Sequence, residues 1–233
     1  MRRLLLLLGL LLSAAGLAQG PATGWTLLYD QYGFWSDRVP ADLTDKLNTL
    51  NDRQKTIKAV VYGPHSWVVL YGRNGFFYRG LPAAAVQKLN QLNDEDRDIA
   101  DVALAPNGGW VILSDRGVWY ASVPPTLSTH LESLHNDHHH LRHVALAPSG
   151  GWLVLYDTNG YDSDHVPLTA LTKLNQVNAS HQELRDIEFG SHGQWLILYG
   201  HNGWWGGDLP PGLEAKLRDL HDTGSTLIRA GLL

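Results

Sequence analysis

The stretch LAPNGGWVIL, Leu104–Leu113, returns 42 residues later as LAPSGGWLVL, Leu146–Leu155. Each copy joins a short Pro- and Gly-containing turn to a run of apolar residues. Such a run is typical of a strand buried on both faces, because a strand with one exposed face alternates apolar and polar residues. The duplication therefore indicates a repeated unit with a buried strand at its centre.

The repeat is present five times. Tryptophans recur at spacings of 42, 43, 42 and 43 residues, at Trp25, Trp67, Trp110, Trp152 and Trp195. A proline follows each tryptophan by 14 or 15 residues, at Pro40, Pro82, Pro124, Pro167 and Pro210. A fixed period of this length is typical of solenoids, propellers and arrays.

Every unit has the same local pattern, which is clearest in the second copy. The buried strand Trp67–Tyr71 is followed by an Asn-Gly turn, which supplies the positive φ of a tight hairpin, and by a second strand, Phe76–Gly80. Pro82 then begins a helix, where proline is favoured, and Ile99–Pro106 forms a third strand. Each unit of about 43 residues is thus predicted to be a three-stranded antiparallel meander with one short helix.

The predicted helices each carry an apolar face at positions i, i+4 and i+7, which is one side of an α-helix. These residues are Leu43, Leu47 and Leu50; Ala85, Leu89 and Leu92; Leu127, Leu131 and Leu134; Ala170, Leu174 and Val177; and Leu213, Leu217 and Leu220.

The two ends of the repeat region complement each other. The first tryptophan strand, Trp25–Asp30, has no inner strand before it, and the last segment, Thr226–Leu233, is an inner strand without partners. Joining them completes a fifth sheet and removes two exposed edges, whereas an open solenoid needs polar capping repeats. We therefore expect a mainly β fold with short helices, closed as a five-bladed propeller in which the C-terminal strand completes the N-terminal blade.

The segment Val102–Ala121, VALAPNGGWVILSDRGVWYA, resembles the inner strands of WD40-like propeller blades. The resemblance covers the repeat region and is generic, since the GH and WD signatures are missing and a helix replaces the usual outer strand. Five short blades on an exported chain are also similar to tachylectin-type lectin propellers in ring size. The resemblance implies a ligand-binding surface on one face of the ring.

The N-terminus, MRRLLLLLGLLLSAAGLAQG, combines Arg2 and Arg3, the apolar run Leu4–Leu12 and small residues before Gln19. This pattern predicts a signal peptide over residues 1–18 and a single secreted or periplasmic domain over 19–233, with bacterial origin indicated. The run is shorter than the roughly 20 apolar residues of a spanning helix, so no membrane span is expected after cleavage.

Composition limits the partners. Without Arg2 and Arg3 the chain has 16 Lys and Arg against 23 Asp and Glu, and it has no cysteine. Disulfides and thiol chemistry are therefore excluded. A formal charge of −7 without a basic run disfavours nucleic acid as a partner, and a monomer is expected.

The hairpins after the middle strands and the loops after the helices are predicted to share one face of the ring. That face is our candidate binding surface, because loops on a rigid scaffold commonly bind ligands. The candidate residues are Asn74, Asp115, Asn159 and Asn202 in the hairpins, Asp52, Asp94 and Asp137 after the helices, and the rings of Trp35, Trp119 and Trp205. They would bind sugar hydroxyls and apolar sugar faces; alternatively they only form turns and fill gaps between blades.

A histidine-rich stretch, HNDHHHLRH over His135–His143, occurs in one unit only. Its residues His138, His139, His140 and His143 are candidate ligands for zinc, nickel or copper. The alternative is a solvated loop that binds a divalent metal adventitiously. No other cofactor is expected.

The sequence contains no G-x-S-x-G, P-loop or HExxH motif. Our main hypothesis is a non-enzymatic binding module that recognises a glycan or an extracytoplasmic protein. One alternative is a small glycoside hydrolase, which would need two loop carboxylates facing one cleft. Another is a cell-envelope scaffold for protein interactions.

Overall fold

The computed structural model describes residues 24–233. The predicted signal peptide, residues 1–18, and its cleavage site lie outside the described residues. Between residues 24 and 233, no helix is both long and apolar enough to cross a bilayer.

Strands and helices alternate in the predicted order. The first part of the chain forms β1 (Trp25–Tyr29), β2 (Gly33–Asp37), α1 (Ala41–Asp52), β3 (Ile57–Gly63), β4 (Ser66–Tyr71), β5 (Gly75–Arg79) and α2 (Ala83–Asp94). The middle forms β6 (Ile99–Leu104), β7 (Trp110–Ser114), β8 (Gly117–Ala121), α3 (Pro125–Asn136), β9 (Leu141–Leu146), β10 (Trp152–Tyr156), β11 (Gly160–Asp164) and α4 (Leu168–Ala179). The last part forms β12 (Leu184–Phe189), β13 (Trp195–Tyr199), β14 (Gly203–Gly207), α5 (Pro211–Thr223) and β15 (Leu227–Leu232).

The strands form five three-stranded antiparallel sheets, which are the blades of the ring. Blade 1 consists of β15, β1 and β2, and blades 2 to 5 follow in chain order from β3 to β14. In each blade the tryptophan strand lies in the middle. In β10, Trp152 and Val154 pack toward blade 3 while Leu153 and Leu155 pack toward blade 5. The prediction that these strands are buried on both faces is confirmed.

All five inner strands contain a bulge at their second residue. In β12 the pairing with β13 skips Arg185, so that Leu184, Ile187 and Phe189 all pack toward blade 4. Without the bulge, strict alternation would place the third residue of the strand on that apolar face. The bulge instead turns the third residue, Asp186, toward blade 1 and the centre of the ring.

Each helix covers the outer edge of the interface between its own blade and the next one. Between blades 4 and 5, Ala170, Leu174 and Val177 of α4 pack on both sheets. The predicted apolar residues of all five helices are buried. A helix thus replaces the fourth strand of a conventional blade.

The C-terminal strand closes the ring. It pairs antiparallel with β1, from Trp25 opposite Leu232 to Tyr29 opposite Leu227, and the Leu233 amide donates to the Gly24 carbonyl oxygen at 2.9 Å. The inner strands contact one another in the cyclic order β15, β3, β6, β9, β12 and β15 again. At Gly231 a Cβ would come within 2.4 Å of the Val60 carbonyl oxygen, so glycine permits the close approach of β15 to β3. The predicted five-bladed closure is confirmed.

Closure predicts that the last strand is needed by the whole ring. We expect deletion of residues 226–233 to abolish cooperative thermal unfolding, because blade 1 loses its inner strand and blade 5 loses its neighbour. The measurement is the circular dichroism melt.

A circular permutant provides the matched control. It joins Leu233 to Gly24, which already touch, and opens the chain at the exposed Ser149 in a surface turn. We expect it to melt close to the parent chain. A deletion variant that melts only a few degrees lower would show that the ring is not one cooperative unit.

Candidate functional site

The hairpins after the middle strands and the loops after the helices lie together on one side of the ring, as predicted. We call this side the hairpin face. In blade 4, Asp157 of the hairpin accepts hydrogen bonds from the His140 amide at 2.9 Å and pairs with His139 Nδ1 at 2.6 Å. The opposite side carries the turns between inner and middle strands, and we call it the turn face.

The predicted asparagines mainly join these two sets of loops. Asn74 donates to the Asn93 carbonyl oxygen at 3.3 Å, and Asn202 donates to the His221 carbonyl oxygen at 3.1 Å. In the amide orientation that satisfies its hydrogen bonds, the Asn159 side-chain nitrogen donates to the Gln182 carbonyl oxygen at 3.0 Å. Their amide groups thus already hold hairpins against neighbouring loops.

The predicted carboxylates are distributed around the ring. Asp52, Asp94 and Asp137 take equivalent places at the ends of α1, α2 and α3, and Asp115 lies in the blade 3 hairpin. All four are exposed, and Asp137 accepts a hydrogen bond from Ser133 at 3.3 Å. The structure does not bring them together in one cleft.

The predicted aromatic residues contact lysines of the preceding helix. Lys216 lies 3.8 Å from the ring centre of Trp35, and Lys173 lies at the same distance from Trp205. The corresponding pairs in blades 3 and 2 are Lys88 with Trp119 and Lys46 with Phe77, both at 4.8 Å. Trp35 and Trp205 are still 41% and 39% exposed. These two tryptophans therefore connect neighbouring blades, and part of each ring remains accessible to solvent.

Blade 4 uses a different pair at the same position. Asp162 replaces the aromatic residue and His130 replaces the lysine, with 3.4 Å between Nδ1 and the carboxylate. The two positions have changed together, which indicates that the contact between helix and next blade is required.

The four predicted histidine ligands do not converge. His138, His139 and His140 are exposed on the loop after α3, whereas His143 is only 2% exposed and points into the ring. Among residues 24–233, the set whose ligand atoms lie close enough for a metal ion is His143 with Asp186 and Glu188, within 4.8 Å of one another.

His143 belongs to a cluster that sequence analysis missed. The third residues of the five inner strands point to the ring axis, and they are Ala59, Asp101, His143, Asp186 and Arg229. Together with Glu188, two residues further along β12, the four polar members form what we call the axial cluster. The available signal was a polar residue at the third position of the inner strand in four of the five copies, although Arg142 and Arg185 at the second position are polar as well.

The axial cluster links blade 3 to blade 4, blade 4 to blade 5 and blade 5 to blade 1. One Asp101 oxygen accepts from the Val144 amide at 2.9 Å, and one Asp186 oxygen accepts from the Ala230 amide at 2.8 Å. His143 lies between two acceptors, with Nδ1 at 2.9 Å from Asp101 and Nε2 at 2.8 Å from the Ile187 carbonyl oxygen. These bonds fix the angle between neighbouring inner strands.

Arg229 connects opposite parts of the cluster. It donates to Asp101 at 2.5 Å, lies 3.6 Å from Asp186 and reaches the Arg142 carbonyl oxygen at 3.4 Å. Burial alone would raise the pKa of Asp101, but the charges of Arg229 and His143 outweigh it and lower that pKa to about 2. Asp101 and Arg229 therefore form a permanent ion pair at the axis.

Glu188 is the unusual member. Burial, and then the negative charge of Asp186, raise the pKa of Glu188 well above its ordinary range. Beside it, the buried Oδ1 atom of Asp186 has no hydrogen-bonding partner. An unpartnered carboxylate oxygen at a buried position is rare and calls for a specific explanation.

The turn face has a depression on the ring axis, which we call the axial pocket. Its volume is about 390 Å³. All five blades contribute to its lining, through Gly24, Tyr62, Gly63, Pro64, Leu104, Pro106, Leu146, Pro148, Phe189, Ser191, His192, Leu232 and Leu233. Phe189 follows Glu188 directly, so the axial cluster begins beneath the pocket. The pocket is mostly apolar, with Ser191 and His192 at the rim.

Neither a protein-family model nor a curated protein matches this chain. The five repeated sheets support a propeller-like repeat fold, whereas neither comparison supports the resemblance to WD40-like or tachylectin-type propellers.

The axial ion pair predicts a large effect of a single substitution. Arg229→Met leaves Asp101 buried without its cation, and we expect the free energy of unfolding to fall by about 3–5 kcal/mol. Urea unfolding of Arg229→Met and of the control Arg116→Met, which changes an exposed hairpin residue, measures the difference. Equal stability of the two variants would show that the axial cluster does not hold the ring together.

The replacement of the lysine–aromatic pair by His130 and Asp162 in blade 4 predicts energetic coupling between these two surface positions. Combining His130→Lys with Asp162→Trp recreates the lysine–tryptophan pair found at three of the other four interfaces, the fourth being Lys46 with Phe77. We expect the combination to be more stable than the two single changes predict by about 0.5–1 kcal/mol, the range for exposed cation–π pairs. A double-mutant cycle in urea measures this coupling, and additive single effects would contradict it.

Proposed function

We propose that this protein is an exported binding module that receives one small, largely apolar ligand in the axial pocket. Export rests on the signal-peptide pattern of residues 1–18. The observation that carries the binding proposal is the axial pocket itself, a concave site to which all five blades contribute. Its volume of about 390 Å³ lies within the range of small-molecule sites.

The chemistry of the pocket supports an apolar ligand with a polar edge. Leu104, Leu146, Phe189 and Leu232 present apolar side chains, and Ser191 and His192 offer polar groups at the rim. The pocket is formed by strand ends of a closed ring, so little ordering is needed on binding. A preformed apolar pocket with few polar groups is the usual form of a small-ligand site.

The hairpin face supports a glycan ligand less well. The amides of Asn74, Asn159 and Asn202 already bond to neighbouring loops, and a sugar would have to displace those bonds. The accessible edges of Trp35 and Trp205 remain the specific observation in favour of glycan binding. A glycan site there would occur several times per ring.

A hydrolase using hairpin-face carboxylates is also less well supported. Asp52, Asp94 and Asp137 hold equivalent places on separate blades, whereas cleavage of a glycosidic bond needs two carboxyl groups about 5–9.5 Å apart across one cleft. A scaffold for protein interactions would use the same two faces and is distinguished by its partner.

The experiment is a titration with N-phenyl-1-naphthylamine, a neutral apolar fluorescent probe. We expect saturable fluorescence enhancement with one site per chain. Ser191→Trp places a bulky side chain at the pocket rim and should weaken binding at least about tenfold, equivalent to 1.4 kcal/mol. Ser149→Trp is the control, because Ser149 is exposed in the neighbouring turn and does not line the pocket. This variant should bind the probe as the parent chain does.

Absence of saturable binding, or equal binding by both tryptophan variants, would contradict the axial-pocket proposal. A glycan array on the same protein separates the alternatives. Glycan binding that is lost in Trp35→Ala and Trp205→Ala, with several sites per ring, would place the function on the hairpin face.

A further inference from the structure

We propose that the axial cluster is a binding site for one divalent first-row transition-metal ion, held by His143 Nε2, Asp186 Oδ1 and the Glu188 carboxylate. This site differs from the predicted histidine loop, with which it shares only His143. It is also independent of any ligand in the axial pocket.

The donor atoms already lie together. One ligand atom from each of the three residues falls within 4.8 Å of the others. Around an ion bound at about 2.0–2.2 Å, ligand atoms lie roughly 3.4–4.4 Å apart. Small side-chain rotations therefore bring all three to bonding distance without any movement of the backbone.

One buried oxygen in the cluster has no hydrogen-bonding partner. Asp186 is 1% exposed and its Oδ1 atom accepts no hydrogen bond, although His143 Nε2 and Arg229 Nε lie 3.5 and 3.6 Å away. A buried acceptor left unsatisfied costs about 1–3 kcal/mol, more when charged, and a bound ion would satisfy this oxygen.

The charge count favours a divalent ion. Three carboxylates, those of Asp101, Asp186 and Glu188, face a single guanidinium, that of Arg229. Nearby basic residues are neutralised elsewhere, since Arg142 pairs with Glu183 at 3.1 Å and Lys58 pairs with Asp98. Metal binding requires Glu188 ionised and His143 neutral, so the protons that these groups hold would be released as the ion binds, and in that state two negative charges remain for the ion to balance.

The surroundings of His143 are those of a metal-bound histidine. Asp101 lies 2.9 Å from Nδ1 and is itself fixed by Arg229, so Nδ1 donates to Asp101. Nε2 faces the Ile187 carbonyl oxygen, which is also an acceptor, and would release its proton on binding the ion. Carboxylate–histidine–metal arrangements of this kind orient the ring and raise its basicity. The Ile187 carbonyl oxygen, which contacts Nε2 at 2.8 Å, is close enough to serve as a fourth ligand.

The types of the three ligand atoms indicate which ions the site would bind. One imidazole nitrogen and two carboxylate oxygens suit Zn²⁺, Mn²⁺, Fe²⁺ or Co²⁺. Calcium is disfavoured, because it takes six to eight oxygen ligands. Glu188 is the most accessible of the three ligands, whereas Asp186 and His143 are 1% and 2% exposed, so the ion would reach the site past Glu188.

The first experiment is calorimetric titration of chelator-treated protein, residues 19–233, with Zn²⁺. We expect one ion per chain. Glu188→Gln keeps the shape of the side chain but removes one ligand charge, and it should weaken binding more than about 100-fold. Asp101→Asn, which changes the group that orients His143 and pairs with Arg229, should weaken binding about 10–100-fold.

His139→Gln is the matched control, because it removes an exposed loop histidine and leaves the axial cluster unchanged. Its affinity should equal that of the parent chain. Loss of binding in His139→Gln with normal binding in Glu188→Gln would place the ion at the histidine loop and overturn the proposal, as would a parent chain that binds no Zn²⁺.

A second measurement needs no variant and therefore stays decisive if Glu188→Gln fails to fold. Crystals of the parent chain grown with Zn²⁺ should give an anomalous difference peak on the ring axis, within about 2.2 Å of His143 Nε2. A peak only at His138, His139 or His140, or no peak at all, would contradict the axial site.

Discussion

The structure depends on one constraint: every blade is a sheet that is apolar on both faces. The middle strands Trp67–Tyr71 and Trp152–Tyr156 show this in the residues themselves. Such a sheet is stable only between two neighbours, and a linear row of five would leave two faces in water. Pairing of β15 with β1 supplies the missing neighbours at both ends of the chain. The helices then close the outer edge of each interface, where a fourth strand would otherwise stand.

Closure also creates the region in which the repeat stops being uniform. Five inner strands meet around one axis, and the bulge in each points its third residue toward that axis. Aliphatic residues there would contribute only packing, whereas Asp101, His143 and Asp186 also bond the backbone of the next blade, and Arg229 pairs with Asp101 across the axis. The outer contacts are nearly the same around the ring, whereas only aspartate occurs twice among the five axial positions. We therefore locate the specialised chemistry of this protein at the axis.

The sequence was sufficient for the fold and insufficient for the site. Periodic tryptophans, Asn-Gly turns and helix faces are local signals, and they predicted the strands, the helices and the closing strand. The axial cluster is assembled from residues about 43 positions apart, and nothing within its own strand distinguishes any of them: Asp101 and Arg229 are single polar residues, whereas His143 and Asp186 each follow an arginine. The bulge that turns them inward is not marked by glycine or proline. His143 was selected for its neighbours His138, His139 and His140, yet the strand carries it away from them into the ring.

Hydrogen exchange at the seam tests the central claim of closure most directly. If β15 is an integral inner strand, the amides of Arg229 and Gly231, which face β1, will exchange only through global unfolding, with the same free energy as the amides of Val111 and Leu113 in blade 3. Exchange of Arg229 and Gly231 at a clearly lower free energy, with blade 3 still protected, would mean that the C-terminal strand opens independently and that the ring is not closed.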